Sequence, residues 1–130
     1  MNNVWKRTII GFGIVSMAVF ASATDVTLHL KGSQPVSRST IRYECDANGI
    51  KMGLPAGVFQ VEYLNGAGNS LAVVPIGGKS LVFATVISGS GARYAAGEFI
   101  WWEAGERGVS LSSDSLAGKL RSECHRVSRK

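Results

Sequence analysis

Residues 70–88 read SLAVVPIGGKSLVFATVIS, two apolar runs rich in β-branched side chains on either side of Gly77, Gly78 and Lys79. Residues 70–76 and 80–88 are each too short for a stable helix and show no 3.6-residue period, so they read as strands. The paired glycines between them allow the tight reversal that joins neighbouring antiparallel strands. This hairpin sets the expectation for the rest of the chain: short strands punctuated by glycine.

Working outward, the same pattern recurs. Phe59, Val61 and Tyr63 alternate along one strand, which the glycine-rich residues 65–69 end. Residues 40–45 place Ile41, Tyr43 and Cys45 on one face, with Asp46, Asn48 and Gly49 supplying turn chemistry behind them. Residues 24–30 alternate Val26, Leu28 and Leu30 with Thr27 and His29, which predicts a half-buried first strand. Downstream, residues 98–103 and 109–112 flank another glycine-bearing turn, and residues 119–127 form the last predicted strand. Residues 51–54 are too short to classify. The expected fold is therefore all-β: a small antiparallel barrel or sandwich of about eight strands, with closure favoured because a barrel removes exposed edges.

The first 23 residues differ from the rest. Lys6 and Arg7 precede the apolar run 8–20, and Ala21, Ser22 and Ala23 give a small-x-small cleavage pattern. The uninterrupted apolar part is shorter than the roughly 20 residues a spanning helix needs. Residues 1–23 are expected to be a signal peptide and residues 24–130 a single domain, with the periplasm as destination. Cleavage would remove two of the 14 basic residues and leave a net charge of +3. The remaining basic residues are scattered, apart from Arg121, Arg126, Arg129 and Lys130 near one end, which read as a solvated terminus and not as a nucleic-acid surface.

The chain has two cysteines, Cys45 and Cys124. In an exported chain without CxxC spacing they read as one disulfide joining an early strand to the last. In the chain-entropy account, closing so long a loop stabilises a domain by about 4 kcal/mol. Neither cysteine lies in a redox motif, and none stands at the signal cleavage site, where a lipid anchor would need one.

Catalytic chemistry finds no foothold. His29 and His125 are the only histidines, and no zinc-protease or nucleophile-elbow pattern surrounds them. Glu98, Glu103 and Glu106 are spaced like solvated turn residues, with nothing to divide an acid from a base. Residues 88–91 lack the Lys-Ser/Thr pair of a phosphate loop. No enzyme, no cofactor and no metal site is expected.

What stands out is Ser88, Gly89, Ser90, Gly91, Ala92, Arg93 and Tyr94, followed by Trp101 and Trp102. This stretch resembles the MliC/PliC family of bacterial inhibitors of c-type lysozyme, whose members share a Ser-Gly-x-x-Tyr loop, a Trp-Trp and Lys-Gly turn, and a terminal disulfide. The resemblance extends over about 80 residues, including Tyr43, Cys45, Val61, Tyr63, Asn65, Ala72, Val74, Leu81, Gly105 and Cys124. Lacking a lipid-anchor cysteine, the chain is similar to the periplasmic branch. The resemblance implies an eight-stranded barrel, a c-type lysozyme as partner, and a loop with Ser90 at its centre that enters the enzyme's cleft. Gly89 and Gly91 would allow close backbone approach, and Tyr94 would order the loop.

A second contact is implied at the turn Trp102, Glu103, Ala104, Gly105 and Arg107. There the chain departs from the pattern, because Ala104 stands where the family places a lysine. Arg93 or Arg107 is the candidate for supplying the missing charge. Two other readings remain open: an envelope barrel that holds a small ligand in its interior, and a structural envelope protein without inhibitory action. Self-association is open as well.

Overall fold

The computed structural model describes residues 25–32, 34–115 and 119–128. The expected signal peptide, residues 1–23, lies outside the described residues. Eight strands run β1 (Ser37–Cys45), β2 (Phe59–Gly66), β3 (Asn69–Ile76), β4 (Lys79–Val86), β5 (Ala92–Ala96), β6 (Phe99–Glu103), β7 (Val109–Ser113) and β8 (Arg121–Arg126). Each pairs antiparallel with the next, and β8 returns to β1, so the sheet is a closed up-and-down barrel. The central hairpin turns at Gly77 and Gly78, with φ of 62° and 72°. Two successive residues at positive φ give a turn whose twist matches that of the flanking strands.

Period-two alternation sends one face of each strand inward. Tyr43, Val61, Val74, Phe83, Trp101 and Leu111 come from six different strands and are fully enclosed. The closing seam pairs Tyr43 with Arg126, Glu44 with His125 and Cys45 with Cys124. The two cysteines form the disulfide, so the covalent link lies on the register that shuts the barrel.

A short helix, α1 (Ala47–Lys51), follows β1. It replaces the turn expected around residues 46–49, and Met52 and Leu54 just beyond it join the core. Asp46 caps this helix, accepting from the amides of Asn48 and Gly49 at 3.0 and 3.3 Å. The same carboxylate accepts from the Ser122 hydroxyl at 2.8 Å and the Glu123 amide at 3.0 Å, tying helix to seam. Burial works against its charge, but these four donors outweigh it and hold the carboxyl below its ordinary range.

Two expectations exchange places. Residues 25–30 form no strand, and Val26 and Leu28 are 91% and 61% exposed. Alternation supplies a face but not a partner, and the closed β1–β8 seam leaves no free edge for a ninth strand. Conversely, β5 lies within and just after the stretch read as a loop. Eight strands result, but they are not the eight expected.

Candidate binding loop

Between β4 and β5 the chain crosses residues 87–91. Ser90 is exposed at this crossing, and its neighbours fix it from below. The indole Nε1 of Trp102 donates to the Ser90 carbonyl at 3.0 Å, and the Ser88 hydroxyl donates to the same oxygen. Arg107 Nη2 donates to Ser90 Oγ at 3.0 Å. Gly91, with φ of 67°, sits so close to β6 that a Cβ would lie 1.9 Å from the Glu103 carbonyl oxygen. Gly89 has open space around it and no positive φ. Of the two glycines, only Gly91 is demanded by the backbone, and the close approach it allows is to the protein's own β6.

The loop is shorter than residues 88–94. Arg93 and Tyr94 belong to β5, pointing outward and inward respectively. Tyr94 is buried, its ring 5.9 Å from that of Tyr63, with its hydroxyl 3.5 Å from Ser70 Oγ. It anchors the strand that ends the loop.

The turn after Trp102 comes against the loop. Ala104 donates its amide to the Gly108 carbonyl at 2.9 Å, closing a short 3-10 turn (Gly105–Arg107) that swings Arg107 back to Ser90. Trp101 is enclosed in the barrel while Trp102 lies half-buried on the outside, as adjacent strand residues must. The guanidinium groups of Arg107 and Arg121 each sit 5.7 Å from the Trp102 ring centre. A depression of about 290 Å³ on the barrel's outer wall includes Ser88, Ser90, Arg93, Trp102 and Arg121 in its lining.

Arg121 was grouped in the sequence with a solvated end. Its place beside Trp102 follows from the register of β6, β7 and β8, where Trp102 pairs with Ser110 and Ser110 with Glu123. Arg121 also pairs with Glu123 at 2.6 Å.

Glu103 behaves differently from its neighbours. Its carboxylate accepts from Tyr43 Oη at 2.8 Å and lies 3.9 Å from Arg126. Behind it runs a buried relay in which Trp101 Nε1 donates to Tyr63 Oη at 2.9 Å, and the Tyr63 and Tyr43 hydroxyls are 3.0 Å apart. With Tyr43 donating to Glu103, the consistent direction has Tyr63 donating to Tyr43. Desolvation dominates in pushing the Tyr43 hydroxyl up to about 12 and the Tyr63 hydroxyl still higher. Glu103 is thus engaged inward, and the exposed part of the turn is Gly105, Glu106 and Arg107, with Trp102 half-buried beside them.

The core side chains fill the barrel, and the depression beside the loop lies outside it. A small-ligand barrel needs an apolar cavity open at one end, whereas the depression beside the loop lies on the outer wall and is lined by Ser88, Ser90, Arg93 and Arg121. The site is thus one exposed serine loop, braced on the outside of a closed antiparallel barrel. The family model MliC, membrane-bound lysozyme-inhibitor of c-type lysozyme, matches residues 43–112, and the chain belongs to that family.

Two named relatives are both membrane-bound lysozyme inhibitors of C-type lysozyme. The protein from Pseudomonas aeruginosa is 49% identical over 93 residues, covering 71% of this chain and 66% of that protein. That from Cupriavidus necator is 38% identical over 69 residues, covering 53% and 49%. The chain therefore matches about half to just under two thirds of their lengths. A crystal structure of Pseudomonas aeruginosa MliC in complex with hen egg white lysozyme superposes with a TM-score of 0.63 at 36% identity, covering 82% of this chain and 99% of that one.

Proposed function

We propose that this protein is a periplasmic inhibitor of c-type lysozyme that acts by placing the loop of residues 87–91 in the enzyme's active-site cleft. The observation that carries this reading is Ser90: an exposed hydroxyl on a backbone held by Trp102 and packed through Gly91 against β6. A loop already in its bound shape loses little entropy on association. Family membership and the lysozyme complex of the Pseudomonas aeruginosa relative support the choice of partner.

A retaining glycosidase such as lysozyme carries one protonated carboxylic acid and one ionised carboxylate about 5 Å apart. A serine hydroxyl donates to the second while accepting from the first. That is a way for a single side chain to satisfy both groups without offering a bond to cleave. The net charge of +3 after signal cleavage contributes no general attraction to a basic enzyme, so recognition rests on local complementarity at the loop.

Export is supported by residues 1–23 and by the use of both cysteines in the disulfide, which leaves neither thiol free for lipidation. Release of the protein by osmotic shock, with none in the membrane pellet, is the expected fractionation result. Ser90→Ala should weaken lysozyme binding by on the order of 1 to 3 kcal/mol, because it strands a desolvated carboxyl pair. Equal binding by wild type and Ser90→Ala in a calorimetric titration would remove the serine from the mechanism.

A further inference from the structure

We infer that Arg107 and Ser90 act as one preassembled two-donor receptor for the carboxyl groups of the partner's cleft; this rests on the reading of the protein as a lysozyme inhibitor. The basis is the 3.0 Å hydrogen bond from Arg107 Nη2 to Ser90 Oγ, formed between two exposed side chains in the unbound protein. A guanidinium is a donor only and stays charged throughout the physiological range. Its bond therefore occupies a lone pair of the serine oxygen and sets the polarity of what remains. The hydroxyl proton and the second lone pair are left for the partner: the proton for an ionised carboxylate, the lone pair for a protonated acid.

Arg107 also brings charge to the contact. Its other N–H groups form a planar fork suited to a carboxylate, and a fixed positive charge beside Ser90 favours the ionised partner group. Three arginines surround Trp102 or the loop, and the geometry separates them. Arg121 is held by Glu123 at 2.6 Å. Arg93 points outward from β5 into the lateral depression, and no hydrogen bond joins it to Ser90 among the described residues. Arg107 alone of the three is bonded to Ser90, and among the described residues it forms no ion pair. The Trp102 ring lies against its guanidinium while the indole N–H holds the Ser90 carbonyl, so one side chain sets both halves of the receptor.

The inference separates Arg from Lys. A lysine at position 107 keeps the charge but loses the planar fork and the fit to the indole face. It also separates a coupled pair from two independent contacts.

The test is a double-mutant cycle on the mature protein, reading dissociation constants for a c-type lysozyme with wild type, Ser90→Ala, Arg107→Gln, the double variant and Arg107→Lys. Each single loss should weaken binding about 10- to 100-fold, and the double variant should bind at least about fivefold better than the product of the two effects predicts. Arg107→Lys should recover less than half of the loss on a logarithmic scale. Urea midpoints should be the same for all five, since both residues are exposed. If wild type itself fails to bind, the inhibitor reading falls and the receptor with it. If Ser90→Ala weakens binding while Arg107→Gln does not, or if the two effects simply multiply, the inhibitor reading survives and the receptor is overturned. Full recovery by Arg107→Lys also overturns it, leaving charge alone as the contribution.

Discussion

Replacing Gly91 with alanine strikes the point where the loop rests on the barrel. At φ of 67° an L-residue is in the left-handed region, at a cost of about 1–2 kcal/mol. The new Cβ would also fall 1.9 Å from the Glu103 carbonyl oxygen and 3.2 Å from the Ala104 Cα, where real contacts stop near 3.0 Å. Both obstacles are backbone atoms, so no side chain can rotate away. Either the end of β6 moves by about 1 Å, disturbing the 2.8 Å bond from Tyr43 to Glu103, or the loop lifts and loses its bonds to Trp102 and Arg107. Gly91→Ala should therefore cost about 2 kcal/mol or more and lower the urea midpoint by about 1 M or more. Lysozyme inhibition should fall with it. Gly89→Ala is the matched control: its φ is not positive and its Cβ meets open space, so stability should be unchanged or higher by up to about 1 kcal/mol. Urea unfolding of the two variants side by side, with inhibition titrations on the same samples, decides the matter. Equal midpoints and equal inhibition would refute the claim that the loop is braced through Gly91.

Three further outcomes follow from the barrel. Reducing Cys45–Cys124 or replacing both cysteines with alanine should cost about 4 kcal/mol, measured as the drop in unfolding free energy, because the disulfide spans 79 positions. Asp46→Ala should cost about 1 kcal/mol through the lost helix cap. Because the Asp46 carboxyl is depressed in the folded state, its contribution is complete above the ordinary carboxylate range and is lost as pH falls through the folded value; in Asp46→Ala that part of the acid-side slope should vanish. At alkaline pH the sign reverses: Tyr43 is raised to about 12, so its contribution is intact below about pH 10 and is lost between about 10 and 12. Ultraviolet titration should show Tyr43 ionising only as the fold is lost.

The strands with several large alternating residues were legible from sequence: Phe59, Val61 and Tyr63 in β2, and the residues 70–88 hairpin around its two glycines. β5 was not, because its five residues carry only Tyr94 as a large inward side chain between glycines and alanines. Residues 25–30 show the converse, since Val26, Leu28 and Leu30 alternate well and yet pair with no strand once β8 closes on β1. The helix α1 spans less than two turns, too few for a period, though Asp46 is a recognisable cap. In the site, Ser90 and the tryptophans were visible as local sequence. The bond from Arg107 to Ser90, the place of Arg121 beside Trp102 and the inward turn of Glu103 all depend on register between strands distant in sequence. Local patterning carries no record of them.

The central claim is that this loop blocks the cleft of a c-type lysozyme. The most direct measurement is the initial rate of cell-wall hydrolysis as the protein is titrated at several substrate concentrations, with c-type, g-type and i-type enzymes in parallel. The account predicts inhibition of the c-type enzyme that saturates at a fixed stoichiometry, weakens as substrate rises and is reduced in Ser90→Ala. Undiminished c-type turnover at excess protein, or inhibition indifferent to substrate, would contradict it.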